Sequence, residues 1–253
     1  MDRSKIKTFS IVNAVAYLVM IAVNALAQLR VLGGKTTAEI SDKYPSLFTP
    51  AGITFAIWGV IYVLLAIFIV RQLLRSGWGL TKKAGWLFIL SCVLNALWII
   101  AWQFEWILLS TVDIVLLWVV LWRLEQQMRE EKLLDRITFS IYYAWITVAT
   151  VAAVFSLITR YAPGWTETLF AQILTVVALI LTGWLSYTVG WAQRNIAYIA
   201  TILWAQIGIM IRHLSATGYA GRFPGIIAVC VIVEAVSAGC LIAVCLRQRK
   251  KEE

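Results

Sequence analysis

The chain has 253 residues, of which 61% are hydrophobic and only 14% are charged. Soluble globular proteins average about 45–50% apolar and about 25% charged residues, so this composition excludes an ordinary soluble protein. The formal net charge is +9, but the basic residues stand at the ends of apolar runs, as membrane anchors do. We therefore expect a membrane protein that has no nucleic-acid partner.

Apolar runs that are almost free of charge predict eight membrane-spanning helices, because about 20 apolar residues are needed to cross a bilayer's hydrocarbon core. The runs cover about residues 9–29, 51–70, 84–104, 106–122, 137–159, 168–190, 195–211 and 224–246. Backbone groups inside a bilayer must bond within their own segment, and segments of this length can do so only as helices. The predicted fold is an all-α, polytopic transmembrane helix bundle.

The first run is also compatible with a secretory signal peptide, with Ala25-Leu26-Ala27 as its cleavage site. Its roughly twenty apolar residues exceed the usual 7–15 of a signal peptide, so we expect it to remain as the first helix. Cleavage would not change the side of the membrane on which each later loop lies. The charge distribution therefore does not decide between a cleaved signal peptide and a retained helix.

Basic residues are distributed unevenly between the two sides of the predicted bundle. With the N-terminus inside, sixteen of the 22 lysines and arginines lie on the inner side. The six on the outer side are Arg30, Lys35, Lys43, Arg160, Arg212 and Arg222. The positive-inside rule then places both termini in the cytoplasm, and we expect the cell membrane as the location. We interpret the basic tail after Arg247 as a stop-transfer signal, with contact to anionic lipid as the alternative.

The stretch Phe48–Tyr62 contains the start of the predicted second helix. Proline lacks an amide proton and is tolerated in the first turn of a helix, so we expect the helix to start at Pro50 with Thr49 as its cap. No charge follows until Arg71. This places Trp58 well inside the membrane and away from its edge.

Four motifs, in this order, resemble the tryptophan-rich sensory protein family, also called the translocator protein or peripheral benzodiazepine receptor family. They are the Phe48–Tyr62 stretch, Leu94-Asn95-Ala96-Leu97-Trp98, Thr111-Val112-Asp113 with Leu116-Leu117-Trp118, and Tyr142-Tyr143-Ala144-Trp145 with Ala149-Thr150. Members of this family usually end after five helices. The resemblance therefore implies a five-helix core at residues 1–160 and an additional three-helix membrane segment at residues 161–253.

The resemblance implies that the chain binds or senses a flat or bulky apolar ligand, such as a tetrapyrrole or a sterol, in an aromatic pocket inside the membrane. The ligand-binding residues that it implies are Trp58, Tyr62, Asn95, Trp98, Trp145 and Ala149. It also implies that the loop from Arg30 to Thr49 folds over the outer mouth of the bundle as a lid. A plain solvated connector is the alternative for this loop.

The resemblance also bears on partners and chemistry. Membrane lipid and a small apolar ligand are the expected partners, a homodimer is an assembly to consider, and no cofactor is expected apart from a tetrapyrrole as ligand. Porphyrin breakdown has been attributed to some bacterial members of the family. The sequence has no catalytic constellation of its own, so we do not expect an enzyme.

Each deep aromatic or polar residue also has a purely structural explanation. Packing alone accounts for most deep tryptophans, including Trp118, Trp184 and Trp204. Asn95, Trp98 and Trp102 follow one another at spacings of three and four, so they share one face of the third helix. That face suits a pocket wall, and hydrogen bonding between helices by the asparagine is the alternative.

Two carboxylates, Asp113 and Glu234, fall inside the predicted spans. An acidic group there is costly and is by default a functional hypothesis. For Asp113 we favour a structural hydrogen bond. Glu234 could line a polar cavity, pair with a basic group or hold a proton. Together with the three extra helices it supports an alternative function, that of a small-solute or proton-coupled permease.

The remaining reactive side chains indicate no site. The cysteines lack any Cys-x-x-Cys pair and lie within the predicted spans at Cys92, Cys230, Cys240 and Cys245. We expect neither a disulfide nor a metal site from them. The single histidine, His213, follows Arg212, and we expect it in a solvated outer loop.

Overall fold

The computed structural model describes residues 3–74 and 78–249. Within these ranges the chain forms helices and no strands, which confirms the predicted all-α class. The helices are α1 (Arg3–Gln28), α2 (Thr37–Lys43), α3 (Ile57–Leu73), α4 (Trp78–Gln103), α5 (Ile107–Met128), α6 (Leu133–Tyr161), α7 (Leu169–Gln193), α8 (Ile196–Leu214) and α9 (Pro224–Arg249). Short 3₁₀ turns at Gly52–Ala56 and Trp165–Glu167 precede α3 and α7.

Eight of the described helices are long and apolar enough to cross a membrane. They are α1, α3 together with the turn Gly52–Ala56 that precedes it, and α4 to α9, in the order of the eight apolar runs, so the predicted count of spans is confirmed. The remaining helix, α2, has only seven residues and lies in the connection between the first two spans. Helix α4 bends at Gly85, whose φ of 42° lies in a region that glycine adopts readily.

Helices α5 and α6 continue past charged residues that ended the predicted runs. Glu125 accepts a hydrogen bond from Arg129 at 3.0 Å, and Asp135 accepts one from Arg71 at 2.7 Å. The side chains of both acids are only 1% exposed. The helices therefore hold two buried carboxylates beyond the two inside the predicted spans, because an acid paired with an arginine can remain buried inside a helix.

The chain forms two compact units that do not follow a single cut in the sequence. The first unit comprises the chain up to Lys43 together with Ala56–Ile146, and the second comprises Tyr44–Phe55 and the chain from Thr147 onward. Helix α6 thus contributes its first half to one unit and its second half to the other. The division into a family-like part before residue 160 and an added part after it stays a prediction.

In the first unit, α1 packs against α3 and α4, and α4 packs against α5. The buried face of α1 carries polar side chains that bond across these contacts. Ser10 and Thr81 share a hydroxyl–hydroxyl hydrogen bond of 2.8 Å, and the Asn13 amide donates to the Gln72 amide oxygen at 2.8 Å. Hydrogen bonds of this kind associate helices in a membrane, where apolar contact alone gives little preference for protein over lipid.

The first part of the connection between the spans is a packed segment. Thr36 and Glu39 form a reciprocal capping box at the start of α2, with the Thr36 amide donating to the Glu39 carboxylate at 2.7 Å. This hydrogen bond lowers the pKa of Glu39. Trp102, at the end of α4, donates its indole N–H to the Thr37 carbonyl at 3.2 Å, and Ile40 is fully buried. This segment is therefore not a plain solvated connector.

The start of α3 differs from the prediction. The turn Gly52–Ala56 separates the proline from the α-helix, and the residue before the helix, Ala56, makes no side-chain cap. The Thr49 hydroxyl instead bonds to the Ser46 hydroxyl at 2.8 Å. The expectation that Thr49 caps the helix is wrong, because the proline is followed by a 3₁₀ turn and not directly by the first α-helical turn.

In the second unit, α7, α8 and α9 pack against one another, and they hold the segment Tyr44–Phe55, which we call the docked segment. Side chains of α8 bond to its backbone: the Trp204 indole N–H donates to the Thr54 carbonyl at 3.0 Å, and His213 Nε2 lies 2.8 Å from the Leu47 carbonyl. A carbonyl can only accept, so Nε2 carries the proton of this bond. The docked segment is thereby fixed by α8.

His213 is completely buried, and the expectation of a solvated loop is wrong. The reason is that α8 continues to Leu214 and that two later rings cover the imidazole. The Tyr219 ring lies 4.9 Å from the His213 ring, and the Phe223 ring lies 5.9 Å from it, as centroid distances. The limits of the charge-free apolar run predicted an end of α8 that is too early, as they did for α5.

Candidate functional site

An aromatic cluster surrounds Trp58 inside the first unit. The Trp58 ring stacks on Tyr62 and on Trp98, each with a centroid distance of 5.5 Å and interplanar angles of 23° and 26°. Tyr142 and Trp145 meet it edge-on at 6.1 and 6.2 Å. Stacked and edge-to-face contacts at these distances are the favoured geometries for aromatic pairs. We call these five rings the Trp58 cluster.

Helical spacing explains how the chain assembles these rings. Trp58 and Tyr62 are four residues apart in α3, and Tyr142 and Trp145 are three apart in α6, so each pair shares one helix face. Trp98 comes from α4. Three helices therefore each present part of one aromatic surface, and Trp58, Trp98, Tyr142 and Trp145 are all at most 6% exposed.

A chain of hydrogen bonds runs beside the rings. The Tyr62 hydroxyl donates to the Asn24 amide oxygen at 2.6 Å, Asn24 donates to the Asn95 amide oxygen at 2.8 Å, and Asn95 donates to the Tyr142 hydroxyl at 2.9 Å. These four side chains come from α3, α1, α4 and α6. These hydrogen bonds fix the hydroxyl groups of Tyr62 and Tyr142, so the cluster is held in place by polar contacts as well as by packing.

The indole N–H of Trp98 is buried and has no hydrogen-bond partner among the described residues. A buried donor without a partner loses its hydration without compensation. It is therefore a polar atom of the cluster that could donate to an oxygen atom of a bound molecule. The cluster thus combines flat apolar faces with an available donor.

The structure brings together five of the six residues to which the family resemblance assigned ligand contact: Trp58, Tyr62, Asn95, Trp98 and Trp145. The sixth, Ala149, is half-buried one turn further along α6 and belongs to the second unit. Asn95 makes the hydrogen bonds between helices that we gave as the alternative for this face, and the pocket wall stays a prediction. Ligand contact by these residues stays a prediction.

The other singled-out residues lie outside the cluster. Asp113 is 7% exposed on α5, and its Oδ2 has no partner among the described residues, so no structural hydrogen bond is seen at that atom. Trp184 and Trp204 are 59% and 40% exposed. Trp118 stacks at a tilt on Tyr143, 6.0 Å away. Depth along a helix therefore does not by itself place a tryptophan in the cluster.

Sequence reasoning missed Asn24, which joins two of the predicted residues through its amide. A signal was present, because the polar residues of α1 recur on one face at Ser10, Asn13, Tyr17 and Asn24. Such a stripe in an apolar helix indicates a face that turns away from lipid. Its partners could not be read from the stripe alone.

The fold defines an integral membrane protein with several spans. Residues 10–244 match the family described as TSPO-like protein, and the chain belongs to that family. The family resemblance of the four motifs is thereby confirmed, and the match also takes in α7, α8 and α9, beyond the motifs. No curated protein and no solved structure matches the chain.

Proposed function

We propose that this membrane protein binds a flat, apolar ligand of the tetrapyrrole or sterol type at the Trp58 cluster. The observation that supports the proposal best is the stack of Tyr62, Trp58 and Trp98, with both centroid distances at 5.5 Å. Three nearly parallel rings offer the surface that a flat molecule prefers. The unpartnered Trp98 N–H beside them would orient a ligand oxygen.

The rings already contact one another, so ligand binding has a structural consequence. A flat molecule must exchange a ring–ring contact for a ring–ligand contact, or extend the stack at one end. An aromatic contact contributes about 0.5–1.5 kcal/mol beyond its buried area, which corresponds to roughly two- to tenfold in affinity. Loss of one cluster ring should weaken binding by that factor, and loss of two should weaken it further.

The test is a porphyrin titration of the purified protein, followed by the change in porphyrin absorbance. Trp58→Phe and Trp145→Phe keep most of the packing and should each weaken binding, and the double variant should weaken it more. Trp184→Phe is the matched control, because Trp184 is 59% exposed and lies outside the cluster. The assignment is wrong if the wild type binds neither porphyrin nor sterol, or if the control loses as much affinity as the pair.

We also propose that both termini lie in the cytoplasm and that the protein resides in the cell membrane. The support is the excess of basic residues on alternate connections, sixteen against six. Eight crossings return the chain to the side on which it began. Reporter fusions after Arg247 should therefore report a cytoplasmic tail, and an external tail would show that either the orientation or the count of eight crossings is wrong.

A further inference from the structure

Several buried polar atoms inside the second unit have no hydrogen-bond partner among the described residues, and three of them come one each from α7, α8 and α9. These three are Ser186 Oγ on α7, Gln206 Nε2 on α8 and Glu234 Oε1 on α9. The Ser186 and Gln206 side chains are at most 1% exposed, and Glu234 is half-buried. Buried polar groups are nearly always paired, so three unpaired atoms in one small helical unit need an explanation.

The hydroxyl of Ser186 differs from its buried neighbours. Thr175 and Thr182 on the same helix donate to backbone carbonyls one turn earlier, at 2.8 and 3.0 Å, and Thr201 on α8 does so at 2.8 Å. Back-bonding of this kind is the usual way for a hydroxyl in an apolar helix to satisfy its proton. Ser186 makes no such bond, so its hydroxyl is available to another group.

The Gln206 amide lies between α7 and α9. The Ser237 hydroxyl donates to the Gln206 amide oxygen at 3.2 Å, and a Cβ placed on Gly183 would lie 3.7 Å from Gln206 Nε2. Ser186 is three residues after Gly183, and Glu234 is three residues before Ser237. Residues three apart on a helix are neighbours at roughly 5–6 Å, so Ser186 and Glu234 each lie one helical turn from a residue at this amide.

Among the described side chains of α9, none is a basic partner of Glu234. The nearest arginines, twelve residues before it and thirteen after it, are engaged elsewhere: Arg222 pairs with Glu167 at 2.9 Å, and the Arg247 guanidinium lies 4.0 Å from the Trp191 ring centroid. The titratable residue beside Glu234 is Cys230, one turn earlier. The other titratable or charged residues in the sequences of the three helices are Tyr187, Tyr198, Arg212, His213, Cys240, Cys245, Arg247 and Arg249.

Of these, His213 and Arg212 lie at the end of α8, where His213 bonds to the docked segment and the Arg212 guanidinium lies 6.0 Å from the Tyr219 ring centroid. Tyr187 is 48% exposed. A carboxylate in the middle of a span without a cation beside it avoids the cost of its charge by binding a proton. A nearby amide and hydroxyl then stabilise the carboxyl group in either protonation state.

We propose that Glu234, Gln206 and Ser186 form a proton-binding site within α7, α8 and α9. The Glu234 carboxylic acid gives its proton to water and becomes a carboxylate, and the reverse step takes the proton up. The Gln206 amide donates to the carboxylate, and the Ser186 hydroxyl accepts from the acid or donates to the carboxylate, through bridging water where the distance requires it. Exchange of a proton at mid-span is the element on which proton-coupled transport depends.

The test is infrared spectroscopy of the purified protein in lipid, recorded between about pH 4 and pH 10 to cover an acid displaced in either direction. A protonated carboxyl group has its own carbonyl band, and we expect such a band to disappear as the pH rises in the wild type. The part of the band contributed by Glu234 should be missing from Glu234→Gln and retained in Asp113→Asn, the control in the first unit. A band that is unchanged in Glu234→Gln, or that does not respond to pH, would overturn the proposal.

Gln206→Leu tests the role of the amide. Removing a donor to the carboxylate should move the midpoint of the band to higher pH by about one unit, equivalent to about tenfold in proton affinity. Thr175→Val is the matched control, since that buried hydroxyl bonds only its own backbone, and it should leave the midpoint in place. If Gln206→Leu leaves the midpoint unchanged while Glu234→Gln removes its part of the band, the amide is not part of the site and the proposed group is wrong.

Discussion

The first unit packs its helices through aromatic rings and side-chain amides, whereas the second packs α7, α8 and α9 through small residues. Trp58 in the first unit contacts four other rings, and Asn95 bonds to two helices at once. In the second unit a Cβ on Gly183 would meet Val233, and one on Gly190 would meet Ile199. The two units thus use the two known means of helix association in lipid, polar bonding and close backbone approach.

The difference bears on what each interior can bind. An interior of rings offers apolar faces to a flat ligand, and we place the proposed ligand there. An interior of small residues offers little area for stacking, but it brings α7, α8 and α9 close together at the Gln206 amide. We place the proposed proton site there.

The largest expected effect comes from a substitution that prevents the close approach of α7 and α8 in the second unit. Gly190→Leu should destabilise the protein by about 3 kcal/mol, because overpacking typically costs 1–3 kcal/mol and Ile199 leaves no room for a side chain. Thermal unfolding in detergent measures this loss of stability. Gly239→Leu is the control, since nothing lies within 4 Å of a Cβ there, and a loss of equal size in the control would show that helix contact at Gly190 is not the cause.

A smaller effect is expected from breaking the hydrogen-bond chain in the first unit. Asn95→Leu leaves Asn24 and the Tyr142 hydroxyl without their shared partner, and a buried group left unpaired costs about 1–3 kcal/mol. A double-mutant cycle with Asn24→Leu should give a coupling of about 0.6–1.7 kcal/mol, the range found for hydrogen bonds between membrane helices. Additive losses would mean that the two amides do not stabilise one another.

The smallest effect is expected for the docked segment. His213→Leu removes the bond to the Leu47 carbonyl and should cost about 1 kcal/mol, with faster proteolysis between Tyr44 and Phe55. Arg222→Gln is the control, because its ion pair with Glu167 is exposed on both sides and exposed pairs contribute little. Equal proteolysis of the wild type and His213→Leu would show that the histidine does not hold the segment.

Much of the fold followed from the sequence because span length and apolarity are local properties. Helical spacing likewise placed Asn95, Trp98 and Trp102 on one buried face. What could not be predicted depends on partners far away in the chain. Asn24 meets Asn95 from 71 residues away, and no local pattern specifies such a pair.

The ends of the helices were the least predictable feature for a related reason. The positions of charged residues predicted an end of α5 that is too early and a start of α6 that is too late, because Glu125 and Asp135 are buried against arginines. The same reasoning left His213 outside, although the docked segment and two rings bury it. In each case a distant or neighbouring partner changes the cost of burying a polar group, and composition alone does not contain that information.

The most direct measurement of the ligand site is photo-crosslinking with a tetrapyrrole or sterol probe, followed by mass spectrometry of the labelled peptides. A ligand at the Trp58 cluster predicts saturable labelling of peptides from α3, α4 and α6, competed by unlabelled ligand and reduced in the Trp58→Phe and Trp145→Phe double variant. Labelling confined to α7, α8 and α9, or labelling that unlabelled ligand does not compete, would contradict a site among the rings of the first unit.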